Sequence, residues 1–256
     1  MSTPAQDKRQ DEQAVTAAVL VIGDEILSGR TKDKNIGTIA DHLNAIGIAL
    51  SEVRIVADCE EAIIAAVNAL RARYTYVFTT GGIGPTHDDI TADSVAKAFG
   101  VPIDVDARAV AILKDYYAPR GIELTPTRLR MARIPHGAAL VRNSVSSAPG
   151  FMLGNVIVMA GIPAVMEAML VEATAELRCG RRMHSLTIDV SRPEGEIAEL
   201  FAAHQQEFAD VAMGSYPFYS TAGRFNTQLV LRSTDAERLV EAHETLKAKL
   251  VARGLL

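Results

Sequence analysis

The chain has 256 residues, of which 48% are hydrophobic and 22% charged, and its formal net charge at pH 7 is −5. This length suits one large domain, or a medium domain with a small one, and the composition is that of a globular protein with enough apolar residues for a core. The acidic balance, without a dominant basic block, argues against nucleic acid as a partner.

Residues 1–13 are polar and charged, so we expect a disordered tail rather than a secretory signal. No apolar run approaches the roughly 20 residues that cross a bilayer, so a membrane partner is not expected. Cys59 and Cys179 are far apart and lack metal-ligand spacing. A cytoplasmic protein without disulfides or zinc is therefore expected.

Strands and helices alternate along residues 14–180. Apolar runs predict strands over 17–22, 49–56 and 74–79, and apolar residues recurring every three or four positions predict a helix after each strand. Asp33 is placed to start the first helix and Gly47 to stop it. Short joins between these elements predict a mostly parallel sheet with helices on both faces.

Further elements are predicted up to a domain end near residue 180, namely helices over 107–119 and 126–133, strands over 150–153 and 156–160, and a helix over 162–177. A different order then begins, with strands over 186–190, 211–216 and 227–231 and helices over 193–204 and 234–252. This β-α-β-β-α order predicts a small α+β domain over 181–256.

Unusual polar stretches follow the first three predicted strands. Gly23–Gly29 follows the first, Asp58 the second, and the third is followed by TTGGIGPTHDDIT, residues 79–91. Ligands bind outside the carboxyl ends of parallel strands, so these stretches are expected to meet. The glycines allow backbone N–H groups to approach an anion, and Asp88 and Asp89 can hold a divalent cation that bridges to phosphate. The sequence therefore predicts a phosphate-plus-metal site.

Structural alternatives exist for these residues. Asp89 or Thr91 could cap the helix that follows, and Asp58 could cap another helix. Arg128, Arg130 and Arg133 could form a solvated helix face or meet a ligand phosphate. The sequence has no P-loop, no GxGxxG or GxSxG motif and no histidine pair at i,i+4, which excludes the standard nucleotide, hydrolase and zinc-protease motifs.

Two motifs carry a resemblance to a known family. Gly23–Gly29 with Asp33 and Asn35, and then Thr80–Thr91, resemble the molybdenum-cofactor-biosynthesis domain family (MoaB/Mog-like), and most closely the N-terminal part of competence/damage-inducible CinA proteins. Later segments match as well, namely Ala148-Pro149-Gly150, Gly161-Ile162-Pro163 and Gly214-Ser215-Tyr216-Pro217. The resemblance covers about residues 17 to 250, and the same domain type is similar to the N-terminal part of eukaryotic FAD synthases.

The resemblance implies a three-layer α/β/α sandwich with a mostly parallel sheet and a molybdopterin-type pocket over 14–180, then a small CinA-like α+β domain over 181–256. It also implies a homo-oligomer. Mog and gephyrin-like members use Mg-ATP to adenylylate molybdopterin, whereas the CinA-like branch is associated with metal-dependent cleavage of ADP-ribose-type pyrophosphates. The C-terminal amidase domain of full-length CinA proteins has no counterpart in this sequence, so amidase activity is not expected.

Site residues follow from the resemblance by position. Asp58 and Asp89 are the implied catalytic residues, and Asp88 and Asp89 the implied ligands of a divalent cation, Mg²⁺ with Mn²⁺ or Co²⁺ as alternatives. The implied substrate- and phosphate-binding residues are Gly23, Asp24, Glu25, Ser28, Asp33, Asn35, Thr80, Gly81, Gly82, Gly84, Pro85, Thr86, Thr91, Pro149, Gly150, Gly161 and Pro163.

The sequence departs from the family in two loops. Ser146–Gly150 replaces the usual Gly-Thr-Ala-Pro-Gly, and Met159-Ala160-Gly161 replaces Leu-Pro-Gly, which leaves the substrate open. The first hypothesis is metal-dependent cleavage of the pyrophosphate of an AMP-containing nucleotide. The alternatives are molybdopterin binding or adenylylation, and a non-catalytic nucleotide-binding module. The expected partner is accordingly a small-molecule nucleotide or pterin phosphate.

Overall fold

A computed structural model describes residues 14–219 and 225–256 of the chain. The predicted tail over 1–13 lies outside the described residues. The chain forms two compact units, which divide between Gly180 and Arg181. None of the described helices combines the length and apolar character needed to cross a membrane.

The first unit contains short strands and helices in alternation. Its strands are β1 (Thr16–Ile22), β2 (Ala49–Val56), β3 (Tyr76–Thr80), β4 (Ile103–Val105), β5 (Arg133–Pro135), β6 (Ala139–Val141), β7 (Gly150–Leu153) and β8 (Val156–Met159). Its α-helices are α1 (Asp24–Leu27), α2 (Asn35–Ala45), α3 (Glu60–Arg71), α4 (Thr91–Phe99), α5 (Ala107–Tyr117), α6 (Pro126–Leu129) and α7 (Pro163–Thr174). Single 3-10 turns cover Ala118–Arg120 and Arg130–Ala132.

A six-stranded sheet in the order β2-β1-β3-β8-β7-β6 forms the centre of this unit. The strands β2, β1, β3 and β8 are parallel, β7 runs antiparallel to β8, and β6 runs antiparallel to β7. Side chains alternate across β1, so Leu20 packs into the buried cluster with α3, α4 and α5, whereas Val19 packs with α2 and α7. The two clusters make three layers, which confirms the predicted α/β/α fold.

The start and end of helix α2 agree with the sequence signals. The Asp33 carboxylate accepts a hydrogen bond of 2.8 Å from the Ile36 N–H, and Gly47 ends the helix region with a φ of +77°. The helix predicted over 126–133 is shorter: α6 ends at Leu129, and Arg133 begins β5, which pairs with β4. Strands of three residues, such as β4, β5 and β6, are too short to show a period-2 pattern and were not predicted.

The second unit is the predicted small α+β domain. Its elements are β9 (His184–Val190), α8 (Glu194–Glu207), β10 (Ala212–Tyr219), β11 (Phe225–Ser233) and α9 (Ala236–Ala252). The strands form an antiparallel sheet in the order β10-β11-β9. Its buried core includes Leu200 of α8, Leu229 of β11 and Leu246 of α9, so both helices pack on the sheet.

Burial of His204 makes the stability of the second unit depend on pH. The ring is fully buried, with Nε2 2.9 Å from the Ala242 carbonyl oxygen, and burial lowers its pKa below the ordinary 6.5. Below that pH the unfolded chain binds a proton that folded His204 does not, so we expect the free energy of unfolding to fall as pH decreases. In His204→Gln, the free energy of unfolding measured by urea titration should change less between pH 7.5 and 5.5 than it does in the wild type.

The exposed His136 provides the control, because His136→Gln should keep the wild-type dependence. An equal loss of stability on acidification in His204→Gln and in the wild type would contradict the assignment.

Candidate functional site

The candidate site lies where the strand order of the sheet reverses. β2 lies on one side of β1 and β3 on the other, so the loops after β1 and β3 open a crevice between them. A pocket of about 480 Å³ occupies this crevice. Its acidic lining residues are Glu25, Asp58, Asp88 and Asp89, and its glycines are Gly23, Gly81, Gly82, Gly84 and Gly161.

Two glycines allow the loop after β3 to lie close to its neighbours. Gly81 has a φ of +102°, and a Cβ there would lie 2.1 Å from the Ile22 carbonyl oxygen at the end of β1. Gly82 has a φ of +66°, and a Cβ there would lie 2.1 Å from the Thr91 Oγ1. The buried Thr91 hydroxyl donates a 3.0 Å hydrogen bond to the Gly81 carbonyl. Thr91 therefore fixes the loop from behind rather than lining the pocket.

Asp89 braces the same loop. Its carboxylate accepts hydrogen bonds from the Gly84 N–H (2.6 Å), the Thr86 N–H (2.8 Å) and the Thr86 hydroxyl (2.6 Å). Helix α4 is preceded by Ile90 and has no side-chain cap, so neither Asp89 nor Thr91 caps it. The bracing holds residues 84–89 in one conformation against the pocket.

Carboxylates from three separate loops meet at the pocket. The Asp24 N–H donates a 2.9 Å hydrogen bond to Asp58, whose own N–H donates to Asp24 over 3.4 Å. Burial raises the pKa of Asp58, and the negative charges of Asp24, Glu25 and Asp88 raise it further. The hydrogen bond from the Asp24 N–H lowers this pKa and so offsets part of the increase. Asp58 does not cap α3, which begins after Cys59 without a side-chain cap. The site therefore concentrates negative charge that a cation would neutralise.

The donor set fits a cation completed by substrate oxygens. Across residues 14–219 and 225–256, no three His, Cys, Asp or Glu side chains are grouped to hold a metal ion. Mg²⁺ at phosphate sites commonly uses one or two carboxylates together with phosphate oxygens. The exposed Asp88 is suited to this, because hydrogen bonding by Thr86 and by its own backbone N–H, together with the charge of Arg130, keeps its pKa below the ordinary value.

A side pocket of about 230 Å³ adjoins the main one and shares Glu25, Gly81 and Gly161 with it. The Asn35 side chain is 5% exposed and donates a 2.8 Å hydrogen bond from Nδ2 to the Gly161 carbonyl. Its Oδ1 is buried and has no hydrogen-bond partner in the described part of the chain. A buried acceptor is costly to leave unpaired, so Asn35 offers an acceptor to a ligand.

The residues predicted from the resemblance fall into three groups. Those on the main pocket are Gly23, Glu25, Asp58, Gly81, Gly82, Gly84, Pro85, Asp88, Asp89 and Gly161. Those on the side pocket alone are Asp33, Asn35, Thr80 and Pro163. Those on neither wall are Asp24, Ser28, Thr86, Thr91, Pro149 and Gly150. Gly150 is buried in β7, where a Cβ would lie 2.2 Å from the Val158 carbonyl oxygen, so its place is explained by packing.

The apolar wall of the main pocket was not predicted from the sequence. This wall includes Tyr117, Met131, Val165 and Met169, which come from α5, a 3-10 turn and α7. These residues are far apart in the chain and have no common motif, so only their packing identifies them. The wall gives the pocket a surface on which a planar ring can lie.

Comparison with known proteins found a family match for each unit. Residues 18–178 match the family described as "Probable molybdopterin binding domain", and residues 182–255 match "FAD synthase, middle domain". A relative from Aeropyrum pernix is 35% identical over 263 aligned positions, 95% of either chain. A CinA-like protein from Citrifermentans bemidjiense is 34% identical over 92% of this chain and 58% of its own. A crystal structure of a CinA protein with unknown function from Thermoplasma acidophilum is 36% identical, with a TM-score of 0.57, over 63% of this chain and 96% of that chain.

The chain therefore belongs to the family of probable molybdopterin binding domains. Within this family it is close to the CinA-like proteins. It spans about half the length of those CinA-like relatives, 48% of one from Desulfosudis oleivorans and 58% of the other.

Gly81→Ala should disrupt the crevice, because the new methyl group would meet the Ile22 carbonyl oxygen at 2.1 Å. We expect the free energy of unfolding, from urea titration, to fall by at least about 2 kcal/mol. Gly121 is the control: it has a similar positive φ of +65° but nothing within 4 Å, so Gly121→Ala should cost only about 1 kcal/mol. Equal losses in the two variants would show that the close contact is unimportant.

Asp58→Asn should make the protein more stable at pH 7. A raised pKa means that the folded state holds the Asp58 proton to higher pH than the unfolded state, so stability is lost as pH rises through this range. Asparagine removes the charge and keeps an oxygen for the Asp24 N–H. We expect a higher melting temperature at pH 7 than for the wild type, with no change in the exposed control Asp115→Asn. A lower melting temperature would contradict this electrostatic account.

Proposed function

We propose that the protein cleaves the phosphoanhydride bond of an AMP-containing nucleotide of the ADP-ribose type, assisted by Mg²⁺, Mn²⁺ or Co²⁺. The observation that carries the proposal is a pocket whose polar wall combines a glycine loop, which includes Asp88 and Asp89, with Glu25 and Asp58 from two other loops. The residues that line this pocket include no cysteine, histidine or lysine. Pyrophosphate cleavage fits such a wall, because it depends on positioning and charge neutralisation rather than on a protein nucleophile.

The glycine loop is the proposed phosphate-binding element. The Gly81 and Gly84 N–H groups are used within the fold, by the Met159 carbonyl and the Asp89 carboxylate. Gly82 and Ile83 also line the pocket, so we assign phosphate binding to their N–H groups. Asp89 acts through this loop, since its three hydrogen bonds hold residues 84–89 in place.

In the proposed reaction a water oxygen forms a bond to one phosphorus, and the bond from that phosphorus to the bridging oxygen breaks. The bridging oxygen leaves with the other phosphate, and the water gives up a proton, so that ADP-ribose yields AMP and ribose 5-phosphate. We assign acceptance of this proton to Asp58, which is half-buried at the pocket wall. Asp88 would hold a divalent cation, which would supply charge neutralisation for the phosphates.

The remaining walls support a nucleotide of this kind. The apolar surface of Tyr117, Met131 and Met169 suits a planar base, and the adjoining side pocket offers the unpaired Asn35 Oδ1 to a ribose hydroxyl. Assembly into a homo-oligomer is a further expectation from the family resemblance, to be measured by light scattering.

Molybdopterin binding or adenylylation is the second candidate. The match of residues 18–178 to a molybdopterin binding domain favours it, and the same apolar wall suits a pterin ring. The two candidates use the same loops and differ in the ring and in the reaction. Fluorescence of a co-purified pterin, or adenylylation of molybdopterin with Mg-ATP, would favour the second.

Asp89→Asn tests the role of the glycine loop in the first candidate reaction. An amide NH₂ would face the Gly84 or Thr86 N–H in place of an acceptor oxygen, so the loop should lose its bracing while the core remains intact. We expect AMP release from ADP-ribose with Mg²⁺, Mn²⁺ or Co²⁺ to fall at least about 100-fold, with an unchanged circular dichroism spectrum. Asp41→Asn, on the exposed side of α2, should retain full activity.

Wild-type protein that releases no AMP from ADP-ribose, FAD or other dinucleotides with any of the three metals would overturn the pyrophosphatase proposal. Equal activity of Asp89→Asn and wild type would remove Asp89 from the catalytic machinery without affecting the proposal itself.

A further inference from the structure

Arg130 differs from the two arginines close to it in the chain. Arg128 donates a 2.6 Å hydrogen bond to the Glu123 carbonyl and lies over the Tyr117 ring, and Arg133 pairs with Asp93. Arg130 is half-buried and forms no ion pair with any carboxylate of residues 14–219 and 225–256. Its Nε is buried without a hydrogen-bond partner in this part of the chain. A half-buried cation that forms no ion pair is costly, which points to a use for it.

The Arg130 side chain reaches the back of the glycine loop. Its Nη2 donates a 3.2 Å hydrogen bond to the Asp89 carbonyl, 41 residues away in the sequence. The side chain also lines a cavity of about 20 Å³ together with Gly82 and Gly84. The same two glycines line the main pocket on their other side, so only the loop separates the arginine from a ligand there.

The charge of Arg130 opposes the acidity of the site. The charged residues that line the main pocket are all acidic, whereas Lys32 and Lys34 line the side pocket. Glycines carry no side chain that could screen the positive charge of Arg130, and a charge at a partly buried site acts over several ångströms. An anion in front of the glycine loop is therefore attracted by Arg130 from behind it.

We infer that Arg130 is a positioning residue for the phosphate group of the ligand. It holds the glycine loop through the Asp89 carbonyl and provides, through that loop, positive charge to the anion bound on the other side. The inference deepens the proposed function and rests on it, since the ligand is taken to be a nucleotide phosphate.

Comparing the binding of AMP and of adenosine to the full chain separates an effect of Arg130 on the ligand phosphate from an effect on the shape of the pocket. AMP carries the phosphate and is not cleaved further, and adenosine lacks it. By isothermal titration calorimetry with Mg²⁺ present, Arg130→Gln should bind AMP about tenfold more weakly and adenosine as the wild type does. Arg130→Lys, which keeps the charge, should restore AMP affinity to within about threefold. Arg120→Gln removes an exposed arginine and should change neither affinity.

Equal weakening of AMP and adenosine in Arg130→Gln would reduce Arg130 to a structural residue and overturn the inference, as would unchanged AMP affinity. If Arg130→Gln does not fold, Arg130→Lys carries the test, and a tenfold loss of AMP affinity in this variant overturns the inference. Wild-type protein that binds AMP but releases none from ADP-ribose would overturn the proposed reaction alone, and the variants would still decide the role of Arg130. Wild-type protein that binds neither compound overturns both.

Discussion

The site depends on one close backbone contact, in which Gly81 lies against the Ile22 carbonyl at the end of β1. A Cβ at this position would be 2.1 Å from that oxygen, so no other residue type lets the two strands end side by side in this way. The parallel pairing of β1 and β3 runs up to Val21 and Thr80. Their two loops therefore leave the sheet together, and the pocket forms where they diverge.

The carboxylates of the site have two different roles. Asp89 has its oxygens occupied by loop N–H and hydroxyl groups, so it maintains the shape of the glycine loop. Asp58 is held by the Asp24 N–H amid other negative charges, an arrangement that destabilises the folded protein when no cation is bound. Arg130 lies behind the loop as a compensating charge. A concentration of like charge of this sort is typical of a functional site.

Family membership and reaction are separate conclusions. A fold supports several chemistries, and which one operates is decided by the residues on the pocket wall. Of the positions at which this chain departs from the usual family sequence, Ser146 and Ala160 line that wall. Differences at these positions therefore bear directly on the ligand, whereas the shared glycines and aspartates account for the phosphate-binding character common to the proposed alternatives.

The amino-acid sequence by itself determined the long elements, the mostly parallel sheet and the meeting of the glycine and aspartate stretches at one sheet edge. These follow from local periodicity and from the rule that loops after parallel strands share an edge. Only the tertiary structure decided that Asp89 braces its loop instead of capping α4, that Tyr117 and Met169 form an apolar wall, and that Arg130 reaches Asp89. The strands β4 to β6 belong to this second group as well. The physical reason is that these features arise from contacts between segments distant in the chain, which leave no periodic pattern in any one of them.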